Sequence, residues 1–575
     1  MINIALAQIN PVVGDIEGNA QKIKDALREG ESKGAQVVAV PELAVTGYPP
    51  DDLLFKRAFV RENVKAVEAI AAAAPHVLGV IGFVEPGHDR LYNAAAVCHG
   101  GRIIGVYRKQ LLPNYGVFDE RRYFEPGRGH TLIETPVGII GVCVCEDIWS
   151  ADGPAIAQGD AGAQVVVNIN ASPFHKGKLT ERIEMLSERA RRAGAAIAYV
   201  NTVGGQDEVV FDGGSVILDA DGRIVSTYPQ FREHLEVVEV PLGQSRPSRH
   251  PDIRRVEADL PPRKTLAPPR VPLEISFEEE IYQALVLALR DYVEKNGFER
   301  VVVGLSGGID SALTATIATD ALGADAVLGI TMPSDYSTSH SIEDSKTLAS
   351  NLGIELREIH IADTFHDYRR ALENAFGESA PDLAEENLQA RIRGNLLMAV
   401  SNRYGHLVVA TGNKSEMACG YATLYGDMAG GFALLKDVFK IEVYALASYR
   451  NSLSRVIPQS TMDKPPSAEL RPDQKDSDSL PPYDVLDPIL EAYIEDVAEP
   501  SEIVALGYDL QLVQKVITLV DRAEYKRRQA PPGPKVTVKA FGRDRRLPIT
   551  NAWRNREDAD LPGRSLGDGP QADDG

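Results

Sequence analysis

The chain has 575 residues, of which 44% are hydrophobic and 25% are charged. This length exceeds what one hydrophobic core usually serves, so we expect at least two globular domains. Lys and Arg number 61 against 82 Asp and Glu, which gives a net charge of −21. That balance argues against a general binder of nucleic acid or of an anionic membrane surface, because phosphate groups attract basic faces. It leaves room for a local basic pocket that binds a small phosphorylated ligand.

The four cysteines are Cys98, Cys143, Cys145 and Cys419. They are too few and too scattered to form a disulfide framework, and the Cys143–Cys145 pair lacks a second pair at metal-ligand spacing. The N-terminal residues alternate like a strand and show no basic segment followed by a long apolar run. We therefore expect a cytoplasmic enzyme without a signal peptide or a transmembrane helix.

Residues 1–240 show short Val- and Ile-rich runs that alternate with helical patterns, which predicts an α/β domain. The predicted strands are Asn3–Ala7, Gln36–Val40, Val77–Phe83, Ile139–Cys145 and Val165–Ile169, and the clearest predicted helices are Asn19–Glu31 and Leu53–Ala73. Residues 241–272 are rich in Pro and Arg and have no apolar period. We interpret them as a linker or as an extended segment that wraps between domains.

Residues 273–555 form a second α/β pattern. A predicted amphipathic helix is followed by a strand, a helix and a further strand, namely Phe277–Lys295, Arg300–Gly304, Ile309–Leu322 and Val327–Met332. This order predicts a parallel, doubly wound sheet. The polar, Pro-rich residues 464–484 are either a mobile active-site loop or a disordered insertion. We expect residues 556–575 to be a disordered tail.

A Gly-rich turn, Ser306–Ser311, lies between the predicted strand and the helix that follows it. Gly307 and Gly308 allow the backbone to approach a phosphate closely, and the N–H groups of the new helix face the anion. The turn lacks the GKS or GKT of a Walker A loop, and a plain strand–helix turn with a capping Ser is the alternative. The complete SGGIDS string after VVVG favours nucleotide binding. The predicted contacts to ATP here are Gly304, Leu305, Ser306, Gly307, Gly308, Ile309, Asp310 and Ser311.

The SGGIDS string is similar to that of the ATP pyrophosphatase superfamily, whose members cleave ATP between its α and β phosphates and adenylate a substrate. Four further strings occur in order: ENLQARIRGNLL, LVVATGNKSEMACGYATLYGDMAGGFALLKDVFK, PSAELRPDQKDSDSLPPYDVLD and RAEYKRRQAPPGPK. Together they resemble the synthetase domain of the NAD⁺ synthetase family along most of residues 270–550. The expected architecture is therefore an ATP pyrophosphatase-like domain.

This resemblance implies a set of ligand contacts. Asp310 and Glu416 would hold Mg²⁺, while Thr411, Lys440 and Ser467 would face ATP. The residues implied to face nicotinic acid adenine dinucleotide, or deamido-NAD⁺, are Asn387, Arg391, Glu416 and Lys526. Taken singly, the three cations have ordinary alternatives. Lys526 would lie on a solvated helix face, Arg391 would pair with Glu385 or Glu386, and Lys440 would be a helix-end cation.

Three residues of the N-terminal domain lie at or just after predicted strand ends: Glu42, Lys109 and Cys145. Singly, each has a plain interpretation as a solvated strand edge or an inert core cysteine. Together they resemble the Glu-Lys-Cys triad of the nitrilase superfamily, which implies an α-β-β-α sandwich. The strings PELAVTGYPP, LPNYGVFDE and CEDIW are more narrowly similar to the glutaminase domain of the glutamine-dependent NAD⁺ synthetase family. Cys143 is a rival nucleophile because residues two apart on a strand face the same way, but Cys145 directly precedes EDIW.

On this resemblance, Cys145 attacks the glutamine amide, Glu42 transfers the protons and Lys109 stabilises the oxyanion. Tyr115, Ser172 and Lys178 would contact glutamine, although Tyr115 and Ser172 have a plain alternative as loop residues. ATP would adenylate deamido-NAD⁺, and ammonia from glutamine would convert it to NAD⁺, with AMP, diphosphate and glutamate as products. We expect a homo-oligomer of at least two copies and a sheltered ammonia route, within one chain or between subunits.

Two other functions remain alternatives. The first is another glutamine-fed adenylating amidoligase, of the asparagine or GMP synthetase type. Such enzymes use an N-terminal Cys or a Cys-His-Glu triad, whereas here Ile2 follows Met1 and no fitting motif surrounds any of the 11 histidines. The second is a binding protein with a degenerate catalytic shell, against which the complete set of candidate catalytic residues argues.

Overall fold

The computed structural model describes residues 1–73, 75–244, 252–262, 264–266, 275–376, 382–472 and 474–553. The predicted disordered tail, 556–575, lies outside the described residues, as does part of the predicted linker. Among the described residues, no helix combines the length and the apolar character needed to cross a membrane.

The N-terminal half contains fifteen strands and four α-helices within its described residues. The strands are β1 Ile2–Gln8, β2 Val37–Ala39, β3 Leu78–Pro86, β4 Leu91–His99, β5 Arg102–Arg108, β6 His130–Thr135, β7 Gly138–Val144, β8 Val165–Asn170, β9 Ala196–Asn201, β10 Val203–Gln206, β11 Val209–Asp212, β12 Val216–Leu218, β13 Ile224–Thr227, β14 His234–Val240 and β15 Ile253–Glu257. The helices are α1 Ile16–Ser32, α2 Arg57–Ala73, α3 Pro154–Asp160 and α4 Lys178–Ala193, with 3-10 turns at Asp51–Phe55, Glu120–Arg122 and Cys145–Ile148.

Two sheets pack face to face in this half. One has the order β14-β1-β2-β3-β4-β5 and the other the order β13-β12-β9-β8-β7-β6-β15. Alternate residues of a strand point to opposite faces, so Ile4 and Leu6 enter the core between the sheets while Ala5 and Ala7 face α1 and α2. Helices α3 and α4 cover the outer face of the second sheet. The predicted α-β-β-α sandwich is confirmed.

The described part of the predicted linker wraps over the N-terminal half. Ile253–Glu257 pairs in parallel with β6, from His130 to Glu134, and becomes an edge strand. Further along, the Asn3 side chain donates to the carbonyl of Lys264 at 2.7 Å. The segment is therefore extended and bound to the sandwich along its described length.

In the part of the C-terminal half that the structure describes there are five strands, β16 Val301–Gly304, β17 Val327–Thr331, β18 Glu355–Glu358, β19 Leu407–Ala410 and β20 Phe432–Ala433. Its helices are α5 Phe277–Lys295, α6 Ile309–Leu322, α7 Ser339–Leu352, α8 Ala362–Phe376, α9 Leu383–Tyr404, α10 Lys414–Cys419, α11 Lys440–Leu453, α12 Gln459–Asp463, α13 Tyr483–Ile494, α14 Pro500–Ala505, α15 Leu510–Arg522 and α16 Glu524–Arg527, with 3-10 turns at Ala324–Ala326 and Asp476–Asp478.

The five strands form a wholly parallel sheet in the order β18-β17-β16-β19-β20. Val301 and Val303 of the central strand face one helical layer, and Val302 faces the other. Both faces of the sheet are thus covered by helices, which confirms the predicted doubly wound fold. Helices α10, α13, α14 and α15 enclose a separate apolar core beside the sheet.

The two halves share a hydrophobic core. Helix α5 packs against β10 and β11 of the N-terminal half. Phe174 and Val210 are buried there with Leu285 and Ala288 of α5. Because α5 also packs against α6, one helix connects the glutaminase-like half to the element that follows the Gly-rich turn.

Candidate active sites

Cys145 lies at the point where β7 ends and a 3-10 turn begins. The sequence predicted that the strand would include Cys145, but β7 ends at Val144 and Cys145 has φ = 45°. A side chain in this left-handed region is strained, and such strain is found where a reactive group must be held in a fixed direction. The residue is only 3% exposed.

A buried group of charges surrounds this turn. Lys109 Nζ lies 2.8 Å from Glu42 Oε1 and 2.8 Å from Glu120 Oε1. The side chains of Lys109 and Glu42 are completely buried. Two carboxylates therefore share one ammonium group in a site from which bulk water is largely excluded.

Each carboxylate is fixed by further hydrogen bonds. Asn93 Nδ2 donates to Glu42 Oε1 at 2.7 Å, and the backbone N–H of Ala171 donates to Glu42 Oε2 at 2.9 Å. The Tyr48 hydroxyl donates to Glu120 Oε1 at 2.8 Å. These bonds leave Glu42 with little freedom to rotate.

The electrostatics place Cys145 within this charge group. Burial raises the pKa of the Cys145 thiol well above its usual value, Glu42 adds to the rise, and Lys109 opposes it. Burial also raises the pKa of Glu120 to about 7, with Lys109 acting in the opposite direction. The pKa of Lys109 is raised despite its burial, because Glu120 and Glu42 favour its charged form. The resting site thus holds a protonated thiol beside an ammonium group, and the thiol requires a base before it reacts.

Cys143, the rival nucleophile, lies inside β7 and is fully buried. Its Sγ accepts a hydrogen bond from Asn168 Nδ2 at 3.2 Å, and burial together with Asp147 raises its pKa. Cys143 is packed within the sheet, whereas the backbone turns out of the sheet at Cys145.

The three predicted glutamine contacts lie in the described residues. The Tyr115 hydroxyl donates to Glu146, next to Cys145, at 3.1 Å, and Lys178 Nζ lies 4.0 Å from the centre of the Trp149 ring. The backbone N–H of Ser172 donates to Asn201 Oδ1 at 2.8 Å. Tyr115 and Lys178 thus both contact the turn that Cys145 begins.

Glu120 and Asn93 are functional candidates that sequence reasoning missed. Glu120 ends the LPNYGVFDE string, so the signal was present in a motif already singled out. Its importance was not visible, because only the fold shows that this carboxylate is buried against Lys109.

The Gly-rich turn is built as predicted at the carboxyl end of β16. Gly307 has φ = 76°, and a Cβ at this position would lie 2.4 Å from the carbonyl oxygen of Ser341. Ser311 Oγ donates to the Gly308 carbonyl at 3.0 Å, which closes the turn onto α6. The close approach of α7 is therefore possible only with glycine at this position.

A cavity opens beside the turn and collects most of the predicted ATP contacts. The predicted residues that line it are Gly304, Leu305, Ser306, Gly308, Ile309, Asp310, Ser311, Thr411, Glu416, Lys440 and Ser467. They come from the carboxyl ends of β16 and β19 and from the segments that follow, which is where ligands bind in doubly wound sheets.

Two carboxylates and a lysine meet at the floor of this cavity. Lys440 Nζ lies 2.5 Å from Asp310 Oδ2 and 3.6 Å from Glu416 Oε1. Burial, followed by the neighbouring Asp310 carboxylate, raises the pKa of Glu416 to about 8, although Lys440 acts in the opposite direction. Lys440 is therefore paired inside the cavity, and the alternative of an ordinary helix-end cation does not describe it.

The other predicted dinucleotide contacts lie around residues 420–424. The hydroxyl of Thr423 donates to Asn387 Oδ1 at 2.6 Å, and Arg391 Nε donates to the Leu424 carbonyl at 3.2 Å. Lys526 Nζ donates to the carbonyls of Gly420 and Ala422 at 2.7 and 2.8 Å. These three side chains contact one loop, and Arg391 lines a second depression next to the cavity beside the Gly-rich turn.

Arg393 and Lys464 also line the cavity beside the Gly-rich turn and were not predicted as ligands. Burial lowers the pKa of Arg393 to about 10, and its Nε donates to the Met332 carbonyl at 3.1 Å. Lys464 Nζ lies 2.5 Å from Glu469 Oε1, which in turn accepts a hydrogen bond from the Ser341 hydroxyl at 2.7 Å. The described part of residues 464–484 thus forms a wall of the cavity, as expected of an active-site loop.

Comparisons with known proteins agree on both halves. Residues 3–250 match the carbon-nitrogen hydrolase family and residues 281–530 match the NAD synthase family. The glutamine-dependent NAD(+) synthetase of Thermotoga maritima is 48% identical over 574 residues, covering 96% of this chain and 99% of that protein. The corresponding protein of Aquifex aeolicus is 46% identical, with 96% and 100% covered.

A solved structure also matches the whole chain. The glutamine-dependent NAD+ synthetase of Acinetobacter baumannii in complex with adenosine diphosphate is 42% identical, has a TM-score of 0.74, and covers 97% of this chain and 100% of that one. A second structure, from Cytophaga hutchinsonii, has a TM-score of 0.79 at 21% identity, which supports the fold.

Proposed function

We propose roles for the residues of both sites in this chain, which belongs to the family of glutamine-dependent NAD(+) synthetases. The chain is a glutamine-hydrolysing, ATP-dependent amidoligase: ATP adenylates deamido-NAD⁺, and ammonia released from glutamine amidates it to NAD⁺. The asparagine and GMP synthetase alternatives are set aside by this family membership. The observation that carries the proposal is the presence of both sites in one chain, each with its full set of candidate residues.

In the glutaminase site, Cys145 Sγ attacks the carbonyl carbon of the glutamine side-chain amide. Glu42 accepts the thiol proton during the attack and passes it to the departing ammonia, which leaves a thioester. Water then attacks the thioester, Glu42 takes its proton and returns it to the thiol, and glutamate leaves. Lys109 stabilises the negative oxygen of both tetrahedral intermediates, since it is held as a cation close to the nucleophile.

Binding of glutamine falls to the residues around the Cys145 turn. Lys178 pairs with the substrate α-carboxylate, since its side chain reaches Trp149 and its only close carboxylate among the described residues is the half-exposed Glu181 at 3.0 Å. Tyr115 and Ser172 contribute hydrogen bonds to the same ligand.

In the synthetase site, the residues present fit a magnesium ion. Asp310 and Glu416 offer oxygen ligands, and both line the cavity beside the Gly-rich turn. Mg²⁺ is commonly held by one or two carboxylates together with substrate phosphates, and this pair of carboxylates matches that preference. When bound, Mg²⁺ would supply positive charge to the phosphates as diphosphate departs.

The turn Ser306–Ser311 binds the departing diphosphate through its backbone N–H groups, while Lys440 orients Asp310 and Glu416. Thr411 and Ser467 contact the adenosine part of ATP. Asn387, Arg391, Glu416 and Lys526 bind deamido-NAD⁺, with its nicotinate carboxylate directed toward the α-phosphorus of ATP. This arrangement is supported by the position of the second depression, which adjoins the cavity beside the Gly-rich turn.

We also propose that the chain assembles into a homo-oligomer of at least two copies and acts in the cytoplasm. Helices α8 and α9 expose Tyr368, Leu383 and Met398 near the second depression, and Tyr368 and Met398 line it. Sedimentation-velocity measurements test the assembly. A monomer at micromolar concentration would contradict it.

The central test compares Cys145→Ala with the unchanged protein, using glutamine labelled with nitrogen-15 in its side-chain amide. The variant should form no labelled NAD⁺ from glutamine but should still form NAD⁺ from ammonium, together with AMP and diphosphate. Labelled NAD⁺ from Cys145→Ala would show that another group is the nucleophile, and Cys143→Ala in parallel identifies whether it is the neighbouring thiol.

A further inference from the structure

A four-residue segment, His175–Lys178, connects the turn region after Cys145 with the C-terminal half of the chain. We call it the strap. It lies after β8 and ends where α4 begins, at Lys178. Its last residue is the proposed ligand of the glutamine carboxylate and lies against Trp149, four positions after the nucleophile.

Residues of the C-terminal half bind the strap at Lys176. The backbone N–H of Lys176 donates to the Val536 carbonyl at 2.9 Å. Its Nζ donates to Glu442 Oε1 at 3.1 Å and to Glu491 Oε1 at 3.0 Å. Burial lowers the pKa of Lys176, but the carboxylates of Glu442, Glu491 and Glu495 outweigh this effect and raise it, so the side chain stays charged.

The next residue, Gly177, is also bound by the C-terminal half. The backbone N–H of Gly177 donates to Glu280 Oε2 of α5 at 2.9 Å, and Gly177 has φ = 79°. The other oxygen of Glu280, Oε1, accepts a hydrogen bond from Gln230 Nε2 at 3.0 Å. Glu280 is only 5% exposed, and these two hydrogen bonds hold its carboxylate in place without a cationic partner among these contacts. Two successive residues of the strap are therefore fixed by the opposite half of the chain.

The helix that holds Lys176 also forms the ATP site. Glu442 lies two residues after Lys440 on α11, and Lys440 contacts Asp310 and Glu416. Two helical residues span about 3 Å along the axis. The carboxylate that binds the strap and the lysine that organises the ATP site are thus parts of one rigid turn.

We propose that Lys176 is a positioning residue for glutamine hydrolysis, by which the synthetase half holds the strap and thereby sets Lys178 in the glutamine site. The inference rests on the proposed glutamine-binding role of Lys178. It assigns a physical connection between the two sites: α11, Glu442, Lys176 and Lys178. A coupling of this kind requires that an element near one site bias the geometry of the other.

The test is Lys176→Met, which keeps an unbranched side chain one atom shorter and removes its charge. We expect KM for glutamine to rise about tenfold, within the range typical of couplings between sites. The rate of NAD⁺ synthesis from ammonium should stay within about twofold of the unchanged protein, since the ATP cavity keeps its own contacts. Lys176→Arg should restore most of the glutamine affinity, because it retains the charge.

Glu208→Gln is the matched control. Glu208 forms another ion pair between the halves, with Lys436 at 3.1 Å, and it does not contact the strap. Glu208→Gln should leave KM for glutamine unchanged. Comparison of the thermal unfolding of both variants separates a general loosening of the interface from a specific effect on the strap.

Lys178→Met, measured in parallel, distinguishes the positioning role of Lys176 from the proposed glutamine-binding role of Lys178. If Lys178→Met raises KM for glutamine and Lys176→Met does not, the positioning role is overturned and the proposed glutamine site stands. An equal loss of ammonium- and glutamine-driven synthesis in Lys176→Met also overturns it, because that is the result of a purely structural tether. An unchanged KM in Lys178→Met overturns the glutamine-ligand assignment, and the positioning role falls with it.

Discussion

Gly307 provides a sharp test of how the proposed ATP-binding turn is built. Its φ of 76° is one that other residues adopt at a cost of roughly 1–2 kcal/mol. In addition, an alanine Cβ would lie 2.4 Å from the oxygen and 2.6 Å from the Cα of Ser341, both of which are backbone atoms that cannot rotate away. Relief of such a clash typically costs about 1–3 kcal/mol. Gly307→Ala should therefore lose roughly 2–5 kcal/mol, and α6 and α7 should move apart at the phosphate-binding turn.

Gly405 at the end of α9 is the matched control. It has φ = 72° and ψ = 21°, and an added Cβ would meet no heavy atom within 4 Å. Gly405→Ala should therefore cost only the backbone term, roughly 1–2 kcal/mol, and should leave ATP binding unchanged. The difference between the two variants isolates the contact with Ser341.

Three measurements check this reasoning: thermal unfolding, ATP binding by titration calorimetry, and ammonium-driven NAD⁺ synthesis. We expect Gly307→Ala to weaken ATP binding at least tenfold, while glutamine hydrolysis at Cys145 continues. ATP binding at the original strength in Gly307→Ala, or an equal loss of stability in Gly405→Ala, would contradict a role for the close contact with Ser341.

Two further predictions concern the residues that the sequence did not reveal. Burial raises the pKa of Glu120 to about 7, so the folded state holds its proton more tightly than the unfolded state, and this group makes the protein less stable as the pH rises from about 4.5 to 7. Glu120→Gln should therefore reduce the fall in melting temperature over that range and slow glutamine hydrolysis; an unaltered pH dependence would contradict the assignment. Arg393→Met should raise KM for ATP or deamido-NAD⁺ about tenfold or more, because the buried cation Arg393 lines the cavity beside the Gly-rich turn. Glutamine hydrolysis, assayed separately, should not change. Unchanged KM values for both nucleotides would show that the role of Arg393 is limited to its hydrogen bond to the Met332 carbonyl.

Apolar periodicity, a local property, was sufficient to predict two α/β regions and the doubly wound sheet, whereas the α-β-β-α sandwich followed from the resemblance to the nitrilase superfamily. The bounds of α5 and α6 were predicted to the residue, since each has a clear start signal and a continuous helical pattern. The end of β7 was predicted one residue too late. A strand-like composition does not reveal that Cys145 adopts a left-handed conformation, because this conformation is imposed by the surrounding structure.

The Gly-rich turn was predicted from its residues, whereas the family resemblance of the motifs implied the other reactive groups: a thiol, a carboxylate and an ammonium in one half, and acidic and basic residues in the other. Only the tertiary structure showed that Glu120 shares Lys109 with Glu42, because the three residues come together from separate segments. In the same way, only the fold brings Lys176 against Glu442 and Glu491, which lie more than 260 residues away along the chain. Local patterns fix strands, turns and reactive groups, whereas burial and the pairing of charges depend on which distant segments pack together.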